Sequence, residues 1–387
     1  MKIVVLTSRI PYPLEKGDKL RIFHQIKHLA QTHEICLICL NENKDKIDLD
    51  PLKELVHELH IVNLSKWKIP FRMFLSLFSQ LPFQVEYFFE RKKKKEIESI
   101  ILNFKPNHIY CQLIRTAEFV KELFQYEKTI DYMDAFSAAA NRRAETETGL
   151  RKYFWILEFD RVKKYERSIF DYFSNHSIIT EQDRKLLPIP TIKNISIVPN
   201  GVDTVNFQNL PLEKKFDVVF AGNMNYPPNI AAAIFLVEEI LPKLTNQFPS
   251  VTILIAGTDP SLEVQKLARE NVTISGWMND IRQAYCQSRI FVAPMFIGAG
   301  MQNKILEAMS SELPVITTDL AAAAFSEKEN SKIIQANSSF EFAKAIQYYL
   351  LNESAQIIDG KKNRIYVEEN YSWNISNKQL EKCIEKS

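Results

Sequence analysis

Short β-branched runs alternate with amphipathic helical segments twice along the chain, and this alternation most constrains the fold. The first half begins with such a run at Met1–Ser8, followed by a helical segment after Asp18 and a second run at His33–Leu40. The second half restarts the pattern with a run at Phe216–Ala221 and a helical segment at Asn229–Phe248. Strand–helix–strand alternation is typical of parallel sheets covered by helices on both faces. The sequence therefore predicts two doubly wound α/β domains in tandem.

Each half of the chain is long enough to form a domain. At about 100–200 residues per domain, a chain of 387 residues accommodates two. We place an N-terminal domain at residues 1–205, a C-terminal domain at 206–370, and a helix at 371–387 that we expect to cross back to the first domain. Ligands of doubly wound sheets bind beyond the carboxyl ends of the strands. The main site is therefore expected in a central cleft that both domains face.

Charge and composition exclude several classes of protein. The chain has 49 Lys and Arg against 47 Asp and Glu, and the net charge of +2 gives no overall attraction to nucleic acid. No apolar run is long enough for a membrane span, and Ile3–Leu6 is too short for a signal peptide. The five cysteines lack the spacing of a disulfide framework, and Cys36 and Cys39 are predicted to point to opposite faces of one strand. We therefore expect a cytoplasmic protein with reduced thiols.

Glycine is scarce, and most of it lies where the second half predicts turns after strands. Of the nine glycines, six fall between residues 201 and 300. Four turns at predicted strand ends carry glycine: Gly222-Asn223-Met224, Gly257, Gly276-Trp277, and Gly298 with Gly300. Because glycine allows a backbone to approach a ligand closely, these turns predict a ligand-binding edge on the C-terminal sheet.

The most informative stretch is PMFIGAGMQNKILEAM at Pro294–Met309. A strand ends at Pro294, a glycine-rich turn follows, and a helix is predicted to start near Met301. Backbone amides and the helix dipole make such an N-terminus a binding site for a diphosphate. Lys304 and Glu307 lie three residues apart, on one face of this helix. A cation beside phosphate and a carboxylate for ribose hydroxyls predict a nucleotide site.

The same stretch also admits a dinucleotide interpretation. Gly298, Gly300 and Asn303 form G-x-G-x-x-N, and Asp319 follows about twenty residues later, as in the fingerprint of nicotinamide-dependent enzymes. The third glycine of that fingerprint is absent, and asparagine in its place would hinder close packing of the helix on the strand. An NAD-dependent enzyme is therefore the lesser alternative.

In the first half, polar residues follow the predicted strand ends. Gly17 and Arg21 come after the first strand and Asp134 after a later one, which would place all three at the cleft. His24 and His28 lie four residues apart on a helix, but no carboxylate motif joins them. An exposed polar helix face is the better interpretation, and no metal site is expected.

A basic and aromatic segment occupies residues 66–95. Trp67–Phe89 mixes Phe, Leu, Met and Trp with Lys66, Lys68 and Arg72, and a basic run follows at Arg91–Lys95. An amphipathic segment of this kind can lie on an anionic membrane surface. The other interpretation is a helix that covers the sheet, followed by a solvated charged turn. Both interpretations are open on the sequence alone.

Longer motifs bring a family resemblance that covers nearly the whole chain. G-x-M-x-x-x-P-N at Gly222–Asn229 and G-x-Q-N-K-x-L-E-A-M at Gly300–Met309 resemble retaining glycosyltransferases of family four, which have the GT-B fold. More narrowly, they resemble the sugar transferases found beside exosortase and exopolysaccharide gene clusters. K-G-D-K-x-R at Lys16–Arg21 and D-Y-M-D-A-F-S at Asp131–Ser137 agree. The resemblance implies two Rossmann-like domains of the GT-B type.

The resemblance also implies roles for individual residues. Glu307 would bind the donor ribose, Lys304 would lie near the diphosphate, and Asp134 stands in the region where the family has a histidine. These three are the catalytic candidates. The donor-binding candidates come from the turns and helix starts at the strand ends: Gly17, Arg21, Asn223, Met224, Gly257, Gly276, Trp277, Gly298, Gly300, Met301, Gln302 and Asn303.

By resemblance, the chain would be a retaining, metal-independent glycosyltransferase of the hexosyltransferase type. It would move a sugar from a nucleotide-sugar donor to a glycan or lipid-linked acceptor in surface polysaccharide or glycoconjugate synthesis, without a further cofactor or a nucleic-acid partner. Two positions depart from the family pattern: Ala299 replaces a second glutamate, and Met133-Asp134 replaces the histidine. These departures leave open a second hypothesis, a non-catalytic nucleotide-binding partner in a glycan-assembly complex.

Overall fold

The computed structural model describes residues 1–42, 48–298, 300–325 and 331–385. The chain forms two compact units: residues 1–199 together with those from 376 on, and residues 200–375. The division lies before the expected boundary between 205 and 206, because the segment after Pro199 pairs with the second unit. The N–H of Val202 donates to the carbonyl of Tyr371 at 2.8 Å.

The first unit contains, within the described ranges, a seven-stranded parallel sheet in the order β3-β2-β1-β4-β5-β6-β7. Its strands are β1 (Lys2–Thr7), β2 (Glu34–Asn41), β3 (Glu58–Asn63), β4 (His108–Gln112), β5 (Glu127–Asp131), β6 (Asn175–Ile178) and β7 (Ile195–Ile197). The helices between them are α1 (Gly17–Leu29), α2 (Asp50–Lys53), α3 (Ile69–Ser76), α4 (Phe83–Phe88), α5 (Arg91–Phe104), α6 (Phe136–Thr146), α7 (Gly149–Ile169) and α8 (Glu181–Leu186).

Both faces of this sheet are covered, because alternate residues of its strands are buried on opposite sides. In β1, Val4 belongs to one buried core cluster and Ile3 to the other. In β2, Cys36 and Cys39 divide between the same two clusters, as their odd separation predicts. Burying a side chain the size of valine or isoleucine stabilises the fold by about 1.5–3 kcal/mol.

The second unit contains, among the residues described, a six-stranded parallel sheet in the order β10-β9-β8-β11-β12-β13. Its strands are β8 (Phe216–Ala221), β9 (Ile253–Ala256), β10 (Val272–Ile274), β11 (Ser288–Ala293), β12 (Val315–Thr317) and β13 (Ile333–Gln335). Its helices are α9 (Pro227–Ile234), α10 (Leu241–Thr245), α11 (Leu262–Gln265), α12 (Arg282–Cys286), α13 (Asn303–Ser310), α14 (Asp319–Ala322), α15 (Ser339–Leu351) and α16 (Glu353–Asn370). A π-helical segment, Phe235–Ile240, joins α9 to α10.

Both strand orders are those of doubly wound sheets, so the prediction of two such domains is confirmed. Along the chain, strand addition proceeds in one direction from β1 to β3 and then reverses at β4; it proceeds from β8 to β10 and reverses at β11. Ligands of such sheets bind beyond the carboxyl ends of the strands at these reversal points. None of the helices in the described ranges is both long and apolar enough to cross a bilayer.

The last helix, α17 (Trp373–Ile384), begins in the second unit and continues in the first. Leu380 and Ile384 lie in the same buried core cluster as Ile22 and Ile26 of α1. The side-chain amide of Asn377 donates to the backbone of α1 at 3.0 Å. The chain therefore returns to its first unit after completing the second.

Candidate functional site

The carboxyl edge of the second sheet is built around two glycine turns that touch. Gly222 follows β8 and Gly257 follows the neighbouring strand β9, with φ angles of 155° and 135°. An ideal Cβ at Gly257 would lie 1.8 Å from the carbonyl oxygen of Gly222. No other residue fits at Gly257 unless the backbone moves. The two predicted turns are thus in direct contact beside the reversal point of the sheet, which lies between β8 and β11.

We expect Gly257→Ala to destabilise the second unit by about 3 kcal/mol or more, because the new methyl group overpacks against backbone and the positive φ adds strain. Gly276→Ala is the matched control. Its φ is 64°, but nothing lies within 4 Å of the added Cβ, so about 1–2 kcal/mol is expected. Urea unfolding of both variants measures the difference. If both variants lose the same free energy of unfolding, the close contact between Gly257 and Gly222 does not add to the effect of the substitution.

Helix α13 begins at this edge, after β11 and a loop with two positive-φ glycines. Gly298 and Gly300 have φ angles of 105° and 85°. Gln302 precedes the helix with extended backbone, and its side chain makes no capping hydrogen bond to the described part of the helix. Uncapped N–H groups and the positive end of the helix dipole favour an anion at this point. The predicted helix start is confirmed to within two residues, at Asn303.

Lys304 connects α13 to the turn after β8. Its ammonium donates to Oδ1 of Asn229 and lies 4.7 Å from the centre of the Phe220 ring. The side-chain amide of Asn229 in turn donates to the carbonyl of Asn223 at 2.8 Å. An ideal Cβ at Gly222 would lie 3.3 Å from the Lys304 ammonium. The two long sequence motifs of the second half therefore meet at Lys304.

The Lys304 ammonium has no carboxylate within ion-pair distance among the described residues. Burial lowers the pKa of Lys304 to about 7, and the charge of Glu307 offsets only part of this effect. A desolvated cation without a carboxylate partner gains strongly from a bound anion. This electrostatic arrangement fits a phosphate group at the N-terminus of α13.

Glu307 lies one turn further along α13, on the same face. The hydroxyl of Tyr285 donates to its Oε2 at 2.7 Å. Burial raises the pKa of Glu307, while the Tyr285 hydrogen bond and Lys304 act against that shift. Tyr285 is fully buried in α12 and fixes one carboxylate oxygen. The other oxygen accepts no hydrogen bond from the described part of the chain, and it suits a ligand hydroxyl.

The remaining candidates of α13 and its loop have mixed surroundings. Met301 is buried, and Gln302 and Asn303 are half-buried. Oδ1 of Asn303 accepts a hydrogen bond from the side chain of Asn200 at 3.0 Å. Ala299, the position of the missing glutamate, lies outside the described residues.

The turn residues of β8 and β10 also differ in exposure. Asn223 is exposed, whereas Met224 is buried and its N–H and carbonyl bond to Thr258 and Ser261. Met224 therefore positions the turn, since both of its backbone groups are already hydrogen-bonded within the protein and are not directed to a nucleotide sugar. Trp277 has 63% of its surface exposed, and its indole N–H donates to Asn279 at 3.3 Å. Its ring is open to solvent beside Gly276.

Arg21 is not placed as a phosphate ligand, and this part of the prediction needs correction. Its guanidinium is completely buried and pairs with Asp131 at 2.7 Å. It also donates to the carbonyl of Pro199 at 3.2 Å, and Tyr110 donates to the same carboxylate at 3.1 Å. A buried charge is stable only with such partners, so Arg21 joins α1 to β5 within the first unit. Gly17 is the first residue of α1.

Asp134 lies just beyond the carboxyl end of β5 and is half-buried. Burial, followed by the charges of Asp183 and Asp131, raises its pKa to about 7. The residue before it, Met133, has a φ of 61°. Positive φ in a residue other than glycine is strained and is concentrated at functional sites. Asp134 is thus a carboxyl that changes charge near neutral pH in a strained turn.

Sequence reasoning missed two residues of this site. Asn229 stands in a quoted motif, but its contact with Lys304 depends on the fold. Tyr285 gave no signal, because a tyrosine in a short helix is indistinguishable from a core residue by pattern. Both support the α13 side chains by hydrogen bonds.

Comparison with known proteins agrees with this geometry. Residues 215–352 match the model of the family described as glycosyl transferases group 1. An uncharacterized 44.6 kDa protein in the cps region of Klebsiella pneumoniae is 23% identical over an alignment of 393 residues, gaps included. The alignment covers 96% of each chain.

Solved structures resemble the chain over its whole length. Sucrose-phosphate synthase from Thermosynechococcus elongatus superposes with a TM-score of 0.72 at 14% identity, covering 100% of this chain and 99% of the other. Anabaena Alr3699/HepE, solved in complex with UDP, superposes with a TM-score of 0.71 at 12% identity and covers 100% of both chains. The GT-B fold and the resemblance to glycosyltransferases are confirmed.

Proposed function

We propose that this chain, whose second unit matches the group 1 glycosyl transferases, is a retaining, metal-independent glycosyltransferase that uses a nucleotide-sugar donor. One observation carries the proposal: Lys304 is a desolvated cation held by Asn229 at the N-terminus of α13, and the described residues give it no carboxylate partner. Such a site is complementary to a diphosphate. Glu307, one turn away, is placed for the ribose of the same nucleotide.

The donor would be held mainly by the second unit. The amides of Gly300, Met301 and Gln302 would bind the diphosphate, and the backbone beside Trp277 would meet the base. Anabaena Alr3699/HepE has been solved with UDP and with UDP-glucose, which supports a nucleotide-sugar ligand for this fold.

The reaction would depend on stabilising the diphosphate as it leaves the sugar. In the retaining reaction that the family resemblance implies, an acceptor hydroxyl attacks the face from which the diphosphate departs, and the diphosphate takes the hydroxyl proton. Negative charge then develops beside Lys304 and the N-terminus of α13. Fixed dipoles and charges at that point lower the barrier without reorganisation. This assignment needs no metal to neutralise the leaving group.

Asp134 is proposed as the catalytic residue of the first unit. With a pKa of about 7, its carboxyl can either accept or donate a hydrogen bond to a sugar hydroxyl at neutral pH. This property would let it take the place of the histidine that the family has in this region.

The acceptor is proposed to be a glycan or a lipid-linked glycan. The relative from the cps region of Klebsiella pneumoniae supports a place in surface polysaccharide synthesis. Action on a lipid-linked acceptor would place the protein at the cytoplasmic face of the membrane, with residues 66–95 as the proposed peripheral contact.

Thermal unfolding with UDP, GDP, ADP, CMP and NAD, each with magnesium or with EDTA, tests this function. One nucleoside diphosphate is expected to stabilise the protein equally in both conditions, by roughly 2.7 kcal/mol at a hundredfold excess over its Kd. Stabilisation by NAD alone would favour a nicotinamide enzyme instead. Magnesium-dependent stabilisation would contradict the metal-free assignment.

Hydrolysis and transfer of the matching nucleotide sugar then separate an enzyme from a binding partner. Wild-type protein is expected to turn over the donor, and Asp134→Asn is expected to lose activity while it keeps the thermal shift. Nucleotide binding without turnover in any condition would support the non-catalytic partner in a glycan-assembly complex.

A further inference from the structure

One face of α3 and its flanking turns exposes large aromatic side chains. Trp67, Phe71, Phe74 and Phe78 recur at helical spacing, and all four are exposed, Trp67 to 79% and Phe78 to 81%. The rings of Phe74 and Phe78 meet edge to face, with centroids 6.1 Å apart. A helix that covers the sheet would bury such a stripe. This stripe is instead directed to solvent.

A second exposed stripe lies on the N-terminal half of α7. Leu150, Tyr153, Phe154 and Leu157 occupy positions i, i+3, i+4 and i+7, which share one face of a helix. All four are exposed, Leu150 to 88%. The spacing is that of a core-facing helix. Phe83 stacks on the Phe154 ring with centroids 4.7 Å apart, yet all four side chains of the stripe stay exposed.

Two buried charged residues of α7 hold the α3–α4 segment against it. Glu158 accepts a hydrogen bond from the N–H of Phe83 at 2.7 Å. Arg161 donates to the carbonyls of Ser76 and Leu77 at 2.7 and 3.0 Å. Arg161 also lies 4.5 Å above the Phe83 ring. The two stripes therefore belong to adjoining elements of one surface, the apolar face, formed by Trp67–Phe78 and Leu150–Leu157.

The two segments that form the apolar face carry cations and no acidic residues of their own. Residues 66–78 include Lys66, Lys68 and Arg72 but no Asp or Glu, and residues 149–157 include Arg151 and Lys152 but no Asp or Glu. A second copy of the chain would bring like charges together across the contact, which is unfavourable. A surface of anionic lipids would attract the three exposed cations, Lys66, Arg151 and Lys152. Arg72 is held by the carbonyl of Phe89, and Lys68 lies 3.9 Å from Glu90.

We infer that the apolar face docks on a bilayer that contains anionic lipids. Trp, Phe and Tyr suit the boundary between headgroups and acyl chains because each has a large apolar ring, and Trp and Tyr add a polar group. The exposed cations Lys66, Arg151 and Lys152 then lie at the headgroup phosphates. The inference adds α7 to the contact expected for residues 66–95, and it does not depend on the sugar-transfer reaction.

Co-sedimentation of the full chain with phosphatidylcholine vesicles, with and without phosphatidylglycerol, tests the inference. Binding is expected only to the anionic vesicles and should weaken with salt. Phe74→Glu and Leu150→Glu should each lower the partition coefficient about tenfold or more, because each removes an inserted apolar group. Phe340→Glu is the matched control, an exposed phenylalanine of the second unit, and it should change nothing.

Four results would overturn the inference in whole or in part. Wild-type protein could fail to bind anionic vesicles, or Phe340→Glu could lose as much binding as Phe74→Glu. A dimer in sedimentation-velocity runs that Phe74→Glu dissociates, without vesicle binding, would make the apolar face a protein contact. Full binding by Leu150→Glu would remove α7 from the docking surface. The nucleotide-induced thermal shift, measured on the same variants, reports separately on the proposed function.

Discussion

Replacing Lys304 with methionine is expected to lower kcat for sugar transfer by about 10²–10³, the loss typical of removing one group that stabilises developing charge. Methionine fills similar space and removes the desolvated charge, which offsets the lost hydrogen bond to Asn229, so the melting temperature should change little. The measurement is initial rates with saturating donor together with the melting temperature. Lys214→Met is the matched control, because Lys214 is a lysine of the same unit that donates to the Ser288 carbonyl at the opposite end of β11.

The pH dependence of nucleotide binding adds a second readout for Lys304. Burial lowers the pKa of Lys304 in the ligand-free protein to about 7. Above that pH, less of the lysine is in the charged form that binds a diphosphate. Affinity should therefore fall as pH rises through 7, approaching tenfold per pH unit at most. Lys304→Arg stays charged over this range, so the ratio of wild-type to variant affinity isolates the titration of the lysine. A constant ratio between pH 6 and pH 9 would show that the Lys304 ammonium does not lose its charge in this range.

Glu307→Ala is expected to weaken binding of the nucleoside diphosphate by about ten- to a hundredfold, the range for losing hydrogen bonds to a charged group. The affinity lost should be that of the contacts with the ribose hydroxyls alone. We therefore compare the diphosphate with its 2′,3′-dideoxy form by calorimetry. Wild-type protein should bind the dideoxy compound more weakly, whereas Glu307→Ala should bind both equally.

Tyr285→Phe provides the graded control for Glu307. It removes the 2.7 Å hydrogen bond that orients the carboxylate but leaves the carboxylate in place, so a smaller loss is expected. If Glu307→Ala still distinguishes the two nucleotides as well as wild type does, the carboxylate does not bind the ribose.

Sequence reasoning succeeds here where the cause of a structure is local. The glycine turns after β8 and β9, the start of α13 and the position of Lys304 and Glu307 on one helix face all follow from residues close together in the chain. Strand alternation then determines the fold class, because each buried run needs cover on both faces.

Contacts between residues that are far apart in the sequence could not be predicted in this way. Arg21 stands in a motif that suggests a ligand, but its carboxylate partner, Asp131, is 110 residues away, and only the sheet order brings the two together. The stripe on α7 illustrates the same limit, since helical spacing identifies an apolar face without showing what covers it. The raised pKa of Asp134 also depends on a distant group, Asp183.

The course of α17 has a consequence for biosynthesis. During translation the first unit emerges first, and domains generally fold in that order. Here the core around Ile22 and Ile26 is completed by Leu380 and Ile384, which are made only after the whole second unit. The first unit would therefore stay partly open on the ribosome while the second closes. A nonsense mutation shortly before Ser376 would therefore remove part of the core of the first unit, although that unit is encoded mainly at the other end of the gene.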